Sequence, residues 1–277
     1  MAKILLITAG WEQASLVKAA KESGHEVIAT HSNENAAGFK YADKAFLADA
    51  RDLLRLREIA VSEGVDGVLA DQCDYSYFAA AYLSDWMNLP GPSLEAALTV
   101  TNKAKARSVL SRNRDIPQPV FCKCESLSQV FRACEEAGLP AVIKPVDNRG
   151  SIGVCKVTSE EDVKDAYMTA LGRAHSRDVL VEEFIEGTEI AVDGYFMQDA
   201  GHRILSIASK KHSDRGLFDD EITTPAIVSD TALQRVRQIN AEVVSALSIN
   251  YGPTHIEYMV TDDDNVYLME AHNRGGG

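Results

Sequence analysis

The sequence predicts an α/β protein in two parts: an N-terminal open parallel α/β domain, then an α+β part that contains an antiparallel sheet. Short apolar runs and helical patterns alternate through the first hundred residues, whereas strand patterns outnumber helical ones after residue 172. The segment Leu89–Ser93 (LPGPS) lies between the two patterns. Its prolines and glycine interrupt helix and remove ladder hydrogen bonds, so it marks a domain boundary.

In the first part, residues 3–9 (KILLITA) form a compact apolar run that predicts a buried strand. The helical pattern that follows, from Glu12 to Ser23, ends at Gly24. The other predicted elements are strands at Glu26–Thr30, Ala45–Leu47 and Val65–Ala70, and a helix at Leu53–Ser62. Strands and helices in alternation indicate parallel βαβ units with helices on both faces of the sheet.

The second part begins with a helical pattern and becomes rich in strands. Predicted helices span Asn102–Asn113, Ser126–Glu136, Glu160–Leu171 and Thr231–Leu247. Predicted strands span Val120–Lys123, Ala141–Lys144, Val154–Val157, Val179–Phe184, Ile190–Met197, Ile204–Lys210, His255–Val260 and Val266–His272. Successive strands with few helices between them predict an antiparallel sheet that carries helices.

The composition disfavours several classes of partner. A formal net charge of -13 argues against nucleic acid and anionic membranes, which need clustered Lys and Arg. The five cysteines form no CxxC pair and leave one unmatched, so we expect no disulfide framework. The first residues, MAKILLITAG, fit a strand better than a signal peptide, and no apolar run approaches about 18 residues. We therefore expect a cytoplasmic protein, and a homo-oligomer stays open.

Two carboxylates face each other in the hairpin predicted near the end of the chain. With a turn at Thr261–Asn265, the pairing sets Glu257 opposite Glu270. Like charges on directly paired residues are destabilising by about 0.2–1 kcal/mol, and a cation between them reverses that sign. The pairing therefore predicts a divalent metal site. Because His255 and His272 also pair, a zinc site made of both histidines and both glutamates is the alternative.

A loop farther upstream suits an anion. Asp147–Gly153 (DNRGSIG) joins two apolar strands, and its glycines and serine let backbone N–H groups close around a phosphate. An ordinary hairpin turn is the alternative. Lys144, on the strand that feeds the loop, either contacts a phosphate or extends to solvent. Lys103 opens the helix that follows the domain boundary, where a charged side chain is unremarkable.

The segment Val181–Glu189 (VEEFIEGTE) passes from an apolar strand through a Gly turn into another strand. Such a segment can present backbone N–H and C=O groups to an adenine edge, and a carboxylate to a ribose hydroxyl. Acidic residues around a turn are more often simply solvated. The segment alone therefore leaves both interpretations open.

These features stand in an order that resembles the ATP-grasp superfamily, which includes biotin carboxylase, the carbamoyl-phosphate synthetase large chain and carboxylate–amine ligases. The resemblance covers nearly the whole chain. It implies a pre-ATP-grasp domain at residues 1–100 and an ATP-grasp domain at residues 101–277. The latter would comprise a lid at about 115–183 and a larger subdomain at 184–277. Family members commonly continue further, so the resemblance leaves open whether residues after Gly277 are missing or the remainder is carried elsewhere.

The resemblance implies a role for each matching residue. The matches are Lys103 and Lys144 for the phosphates; Asn148, Arg149, Gly150, Ser151, Ile152 and Gly153 for the flap over the phosphates; Glu182, Glu183, Phe184 and Ile185 for the adenine hinge; Glu189 for the ribose; Glu257 and Glu270 for Mg2+ or Mn2+; and Arg274 for the transferring phosphate. An arginine suits that last role because its guanidinium forms charge-assisted hydrogen bonds to phosphate.

Two positions depart from the pattern or stay undecided. The asparagine expected two residues after the second acid is His272 here, and Asn273 follows it, so either one completes the metal site. Imidazole suits Mn2+ or Zn2+ better than Mg2+. The resemblance implies a basic residue facing the substrate at Lys210, Lys211 and His212, and strand alternation sends Lys210 and Lys211 to opposite faces, so only one of these two can point inward. We choose Lys211 for this catalytic role, and we expect Arg215 to lie on the surface.

The resemblance implies a ligase in which ATP phosphorylates a small-molecule carboxylate and an amine captures the acyl phosphate, with release of ADP and phosphate. Three alternatives remain. The first is a bicarbonate-activating carboxylase or an enzyme of the carbamoyl-phosphate type. The second is an ATP-binding module without turnover, and the third is a zinc protein.

Overall fold

The computed structural model describes residues 1–148, 150–212 and 219–276, and only the backbone of His212 and Asp219. Arg149 and Arg215, for which the sequence predicted a flap position and a surface position, lie outside the described residues. Within the described part of the chain, no helix is long and apolar enough to cross a membrane.

The N-terminal sheet is parallel, as predicted, with strand order β3-β2-β1-β4. Its elements are β1 (Lys3–Ile7), α1 (Ala14–Glu22), β2 (Glu26–His31), a 3-10 turn (Phe39–Tyr41), β3 (Lys44–Leu47), α2 (Leu53–Glu63) and β4 (Gly67–Leu69). Apolar side chains such as Leu5, Ile28 and Leu56 are fully buried in its core. The alternating strand and helix patterns thus produced the expected βαβ layers.

Three helices link this sheet to the rest of the chain: α3 (Asp74–Met87), α4 (Leu94–Val100) and α5 (Lys103–Leu110). The sequence predicted α5 but neither α3 nor α4. The sequence of α3, DYSYFAAAYLSDWM, has alanines and aromatic residues on most of its sides, so it lacks the single apolar stripe that identifies a surface helix. α4 is only 7 residues long, and its N-cap is Ser93, the last residue of the predicted boundary segment.

A second sheet is antiparallel and has strand order β5-β8-β6-β7. Its elements are β5 (Phe121–Cys124), α6 (Leu127–Ala137), β6 (Ala141–Pro145), β7 (Cys155–Val157), α7 (Glu160–Leu171) and β8 (Val179–Glu183). The helices α6 and α7 bury Val130, Ala133 and Val163 against this sheet. We call it the lid sheet, because the predicted lid falls on the same residues.

The third and largest sheet is antiparallel, with strand order β11-β10-β9-β12-β13. Its elements are β9 (Thr188–Met197), β10 (Gly201–His212), β11 (Asp219–Thr223), α8 (Asp230–Ala246), β12 (Gly252–Val260) and β13 (Val266–His272). One face is apolar: Ile190, Ile256 and Tyr258 pack in the same core as side chains of α8. Because side chains alternate along a strand, the residues between them face the other way, where the polar site lies.

The predicted pairing in the terminal hairpin is confirmed, but it depends on a bulge. Val260 pairs with Val266, so an unbroken ladder would set Glu257 opposite Met269. The register shifts by one residue just beyond Tyr258, which brings Glu270 opposite Glu257. A bulge of this kind re-aims the side chains that follow it. Met269 is thus the extra residue that puts both carboxylates on one face.

Candidate metal and nucleotide site

The two facing glutamates are surrounded by three lysines. Lys103 on α5 and Lys144 on β6 each lie 3.3 Å from an oxygen of Glu270. Lys210 on β10 pairs with Glu257 in the same way. In the described structure, lysine ammonium groups therefore supply the positive charge that the sequence analysis expected from a metal ion.

Three ligand groups nevertheless meet at a point that suits an ion. Glu257, Glu270 and His272 each offer one ligand atom, and these atoms lie within 4.8 Å of one another. Two of them, the His272 Nε2 and a Glu270 oxygen, are 3.2 Å apart. Carboxylate and imidazole groups are common ligands of divalent cations. The residues present therefore fit a divalent metal ion.

Asn273 does not join this cluster. Its prediction as an alternative metal ligand to His272 is therefore corrected. The residue is 1% exposed. Its carbonyl oxygen accepts a hydrogen bond of 2.7 Å from the Tyr77 hydroxyl. Its amide donates two bonds of 2.8 Å, to the backbone oxygens of Tyr251 and Pro253. The amide ties the end of β13 to α3 and to the start of β12, which leaves His272 as the residue beside the glutamates.

The choice of Lys211 over Lys210 was wrong. Strand alternation does send the two lysines to opposite faces, but Lys210 faces inward and Lys211 is exposed. The Lys210 side chain is 9% exposed and also lies 3.3 Å from Glu189. The register explains this, since Lys210 pairs with Glu189 and Glu189 pairs with Met259. Met259 is two residues from Glu257, so all these side chains share one face.

A buried ion network that the sequence did not predict connects the lid sheet to the largest sheet. Arg107 on α5 donates to a Glu182 oxygen at 2.7 Å, and Lys144 lies 2.8 Å from the other oxygen of that carboxylate. Arg107 also donates to the backbone oxygens of Leu268 at 2.6 Å and Met269 at 2.8 Å, beside the bulge. The side chain of Glu182 is therefore enclosed by protein rather than directed at a ligand.

Both partners of Lys144 favour its charged form. Burial alone would lower the pKa of Lys144, but the carboxylates of Glu182 and Glu270 outweigh burial and raise it. For Glu182 the signs are reversed: burial would raise its pKa, and Arg107 with Lys144 lower it. The network is therefore ionised at neutral pH and keeps Lys144 positively charged beside Glu270.

His255 belongs to a separate hydrogen-bonded group on the same face. Its Nδ1 lies 2.7 Å from an Asp193 oxygen, and its Nε2 lies 3.2 Å from a Glu257 oxygen. Burial opposes the charge on this imidazole, but the two hydrogen bonds outweigh it and raise the pKa of His255 to about 9. The predicted zinc alternative required His255 as a ligand, and the structure instead pairs it with Asp193.

The loop after β6 contains three residues with positive φ. Gly150, Ser151 and Gly153 have φ values of 59°, 55° and 84°. A Cβ atom at Gly153 would lie 2.9 Å from the Cβ of Arg173, so only glycine fits there. The Asn148 carbonyl accepts a hydrogen bond of 2.8 Å from Lys103. This bond ties the predicted flap directly to one of the predicted phosphate lysines.

The predicted hinge continues from the end of β8. The Glu183 backbone N–H donates to the Val120 oxygen at 2.8 Å, and that of Phe184 donates to the Pro140 oxygen at 3.3 Å. Ile185 is 7% exposed. Residues 183–185 are therefore hydrogen-bonded and packed between the lid sheet and β9, whereas Glu186, Gly187 and Thr188 are exposed.

Arg274 lies near the Glu257, Glu270 and His272 side chains and is held by a residue that the sequence did not indicate. Its Nε donates to an Asp74 oxygen at 2.7 Å, and the same oxygen lies 3.3 Å from His272 Nδ1. Asp74 is the first residue of α3, which was itself missed. No sequence signal identified Asp74 or Arg107, because an isolated charge shows its partner only after folding.

A family model described as an ATP-grasp domain matches residues 137–277. The chain belongs to the ATP-grasp family. The match covers the hinge, the facing glutamates, and the loop after β6. The resemblance drawn from the order of these motifs is thereby confirmed.

Curated relatives match more of the chain than the family model does. An uncharacterized protein of Sinorhizobium fredii is 30% identical over 195 residues, which make up 69% of this chain and 39% of that protein. A formate-dependent phosphoribosylglycinamide formyltransferase of Ignicoccus hospitalis is 23% identical over 278 residues, or 98% of this chain and 69% of that protein. The chain thus spans well under half of the first relative and about two thirds of the second.

Solved structures share the fold along the whole chain. The ADP complex of N5-carboxyaminoimidazole ribonucleotide synthetase has a TM-score of 0.86 at 18% identity, and the match covers 100% of this chain and 71% of that one. The L-amino acid ligase from Bacillus licheniformis has a TM-score of 0.83 at 23% identity, and the match covers 100% of this chain and 68% of that one. The predicted fold, a parallel α/β sheet followed by an ATP-grasp fold, is confirmed.

Proposed function

We propose that this protein is an ATP-dependent ligase that phosphorylates a carboxylate and couples the acyl phosphate to an amine, with release of ADP and phosphate. One observation carries the proposal. The chain is a member of the ATP-grasp family, and its lid sheet meets the polar face of the largest sheet. This meeting point brings together three lysines, two facing glutamates and the glycine loop. Relatives named as a formyltransferase, a ribonucleotide synthetase and an amino acid ligase support carboxylate activation.

Each group would act on charge that moves during phosphoryl transfer. Lys103, Lys144 and the backbone N–H groups of residues 148–153 would hold the phosphates, and Arg274 would stabilise the transferring phosphoryl group. Lys210, rather than Lys211, would face the reacting end. Residues 182–185 would read the adenine through backbone groups, and Glu189 would bind the ribose. Positioning and electrostatics would provide most of the rate enhancement.

Glu257, Glu270 and His272 would hold the metal ion, Mg2+ or Mn2+. When bound, that ion would neutralise charge on the β- and γ-phosphates and orient them. Glu257 and Glu270 suit this role because both are ionised. Burial would raise the pKa of Glu257, but hydrogen bonding to His255 and the charge of Lys210 lower it. Burial opposes the charge of Glu270 too, and Lys103 and Lys144 hold its pKa well below the usual range.

The proposed organisation follows the sequence prediction: residues 1–100 as a pre-ATP-grasp domain, and 101–277 as the ATP-grasp domain with a lid at about 115–183. The parallel sheet of the first unit would shape the substrate side, since ligands of open α/β sheets bind at the carboxyl ends of the strands. Small-molecule carboxylates and amines would be the substrates. We place the reaction in the cytoplasm, where ATP is available and the five free cysteines stay reduced.

The test is an ADP-release screen over pairs of carboxylic acids and amines, with bicarbonate included as an acid. ADP formation that requires both an acid and an amine supports the ligase. ADP formation with bicarbonate and no amine would instead indicate the carboxylase alternative. Metal-dependent ATP binding without ADP formation across the panel would indicate a binding module. Elemental analysis of the purified chain separates these outcomes from a structural zinc protein.

Glu270→Gln is the matched variant for this screen. It keeps the size of the side chain and removes the charge, so we expect metal-dependent ADP release to be lost while the fold persists. Asp263→Asn, in the exposed turn of the same hairpin, is the control and should keep wild-type turnover. Unchanged ADP release by Glu270→Gln would exclude the metal assignment.

A further inference from the structure

We propose that His272, with Asp74 behind it, is a ligand of the ion at the Glu257/Glu270 pair, and that it biases this site toward Mn2+ over Mg2+. The proposal rests on the metal site in the proposed function. It adds the donor atom that completes the site, the residue that orients that donor, and the ion that the donors select.

The position of the imidazole fits a ligand. His272 is 7% exposed, and its Nε2 lies 3.2 Å from the Glu270 Oε2 atom. Two atoms that each lie about 2.1 Å from one ion, at right angles to each other, are roughly 3.0 Å apart. The observed separation is therefore close to that of two neighbouring ligands, and Glu257 offers a third ligand atom within 4.8 Å of these two.

The other ring nitrogen faces a carboxylate but makes no hydrogen bond. His272 Nδ1 lies 3.3 Å from an Asp74 oxygen, and it is a buried nitrogen without a hydrogen-bond partner among the described residues. Metal-ligating histidines typically donate their second N–H to a carboxylate, which fixes the tautomer and the ring orientation. Arg274 holds Asp74 at 2.7 Å. A small ring rotation that completes the Nδ1–H bond would leave Nε2 as the metal-binding atom.

The side chain that could have replaced the imidazole is occupied elsewhere. The Asn273 oxygen accepts from Tyr77, and its amide hydrogens go to two backbone oxygens. Asn273 would have to break three hydrogen bonds to reach the glutamates. The third protein ligand is therefore a nitrogen and not an amide oxygen.

A mixed donor set changes which ion is preferred. Mg2+ is bound almost entirely by oxygen and requires near-ideal octahedral geometry. Mn2+ accepts both carboxylate oxygen and imidazole nitrogen. Two carboxylates with one imidazole therefore favour Mn2+ relative to Mg2+ more than an all-oxygen site would.

Pulsed electron paramagnetic resonance of bound Mn2+ tests the ligand directly. Mn2+ would be added to the purified chain, alone and with a non-hydrolysable ATP analogue, after uniform 15N labelling of histidine. We expect a histidine nitrogen coupling that disappears in His272→Asn. Bound Mn2+ without that coupling overturns the proposal, as does a coupling that persists in the variant. This readout needs no turnover, so it is independent of whether the ligase function holds.

Competition between Mn2+ and Mg2+ tests the preference. In His272→Asn, and in His272→Gln if the first variant unfolds, we expect the ratio of Mn2+ to Mg2+ affinity to fall by about tenfold or more. Asp74→Asn should weaken Mn2+ binding by about 10- to 100-fold. Asp71→Asn is the matched control, because Asp71 bonds the Gly275 backbone and has no described contact with His272. An unchanged ratio in the His272 variants would show a merely structural histidine.

Discussion

Arg107 is expected to be among the most sensitive positions in the chain. Its side chain is 4% exposed and makes an ion pair with Glu182, whose side chain is 1% exposed. Its Nη1 and Nη2 groups donate to the backbone oxygens of Leu268 and Met269 at the β13 bulge, and Nη1 also donates to the Gln118 side chain. One guanidinium therefore joins the strand that leads into the hinge to the strand that carries Glu270.

Replacing Arg107 with Met keeps most of the volume and removes every one of these bonds. Removing one partner of a buried ion pair costs about 3–5 kcal/mol. Each buried carbonyl left without a donor adds about 1–3 kcal/mol. The two energy terms overlap, because neighbouring groups relax together. We therefore expect the free energy of unfolding to fall by about 4–6 kcal/mol, out of a typical total of 5–15 kcal/mol.

Urea denaturation followed by far-UV circular dichroism measures this loss of stability. We expect the midpoint to move to a lower urea concentration while the dependence of the unfolding free energy on urea concentration stays the same. Arg55→Met is the control, because Arg55 pairs with Glu58 on the exposed surface of α2 and should change stability by at most about 0.5 kcal/mol. The double variant Arg107→Met/Glu182→Gln should lose less free energy of unfolding than the two single variants lose together, because it no longer contains the unpaired Glu182 carboxylate. A cost below about 1 kcal/mol for Arg107→Met would refute the reasoning.

Three further predictions concern the site. Lys210→Met should lower metal-dependent turnover by about 100-fold or more, whereas Lys211→Met should leave it near the wild-type value. Equal effects of the two variants in steady-state kinetics would contradict the inward assignment of Lys210. Arg107 and Lys144 lower the pKa of Glu182, so its stabilising contribution is present above its unfolded pKa of about 4.3 and disappears as the pH falls through the lower folded value. The stability difference between wild type and Glu182→Gln should therefore shrink below about pH 4.3 in acid denaturation; a constant difference would refute it. Finally, metal and nucleotide should raise each other's affinity by the same factor in calorimetric titrations, and independent affinities would contradict this.

Most of the fold could be predicted from the sequence, because its elements have simple periodic patterns. The predicted helix Glu160–Leu171 matches α7 residue for residue, and the strands of the two antiparallel sheets differ mainly at their ends. The short edge strand β11 was missed, as was α3. A helix buried on several sides shows no amphipathic stripe, so periodicity could not identify α3.

The site was only partly predictable, for a related reason. Glu257 and Glu270 were found because a hairpin turn fixes local register, although the bulge at Met269 was not foreseen. Asp74 and Arg107 could not be found, because their charged partners lie 75 to 200 residues away in the chain. Such pairs depend on tertiary packing and have no local sequence pattern.

The charge conflict between Glu257 and Glu270 has two solutions in this chain. In the described structure, lysines neutralise both carboxylates. Our proposal assigns Lys103 and Lys144 to the phosphates of ATP, so they would exchange partners when a divalent ion and the nucleotide bind. The ion brings positive charge to the carboxylates as the phosphates bring negative charge to the lysines. Either ligand alone would leave part of this balance unmet. On this proposal the site would bind the two together, and Glu182 would keep Lys144 charged and in place during the exchange.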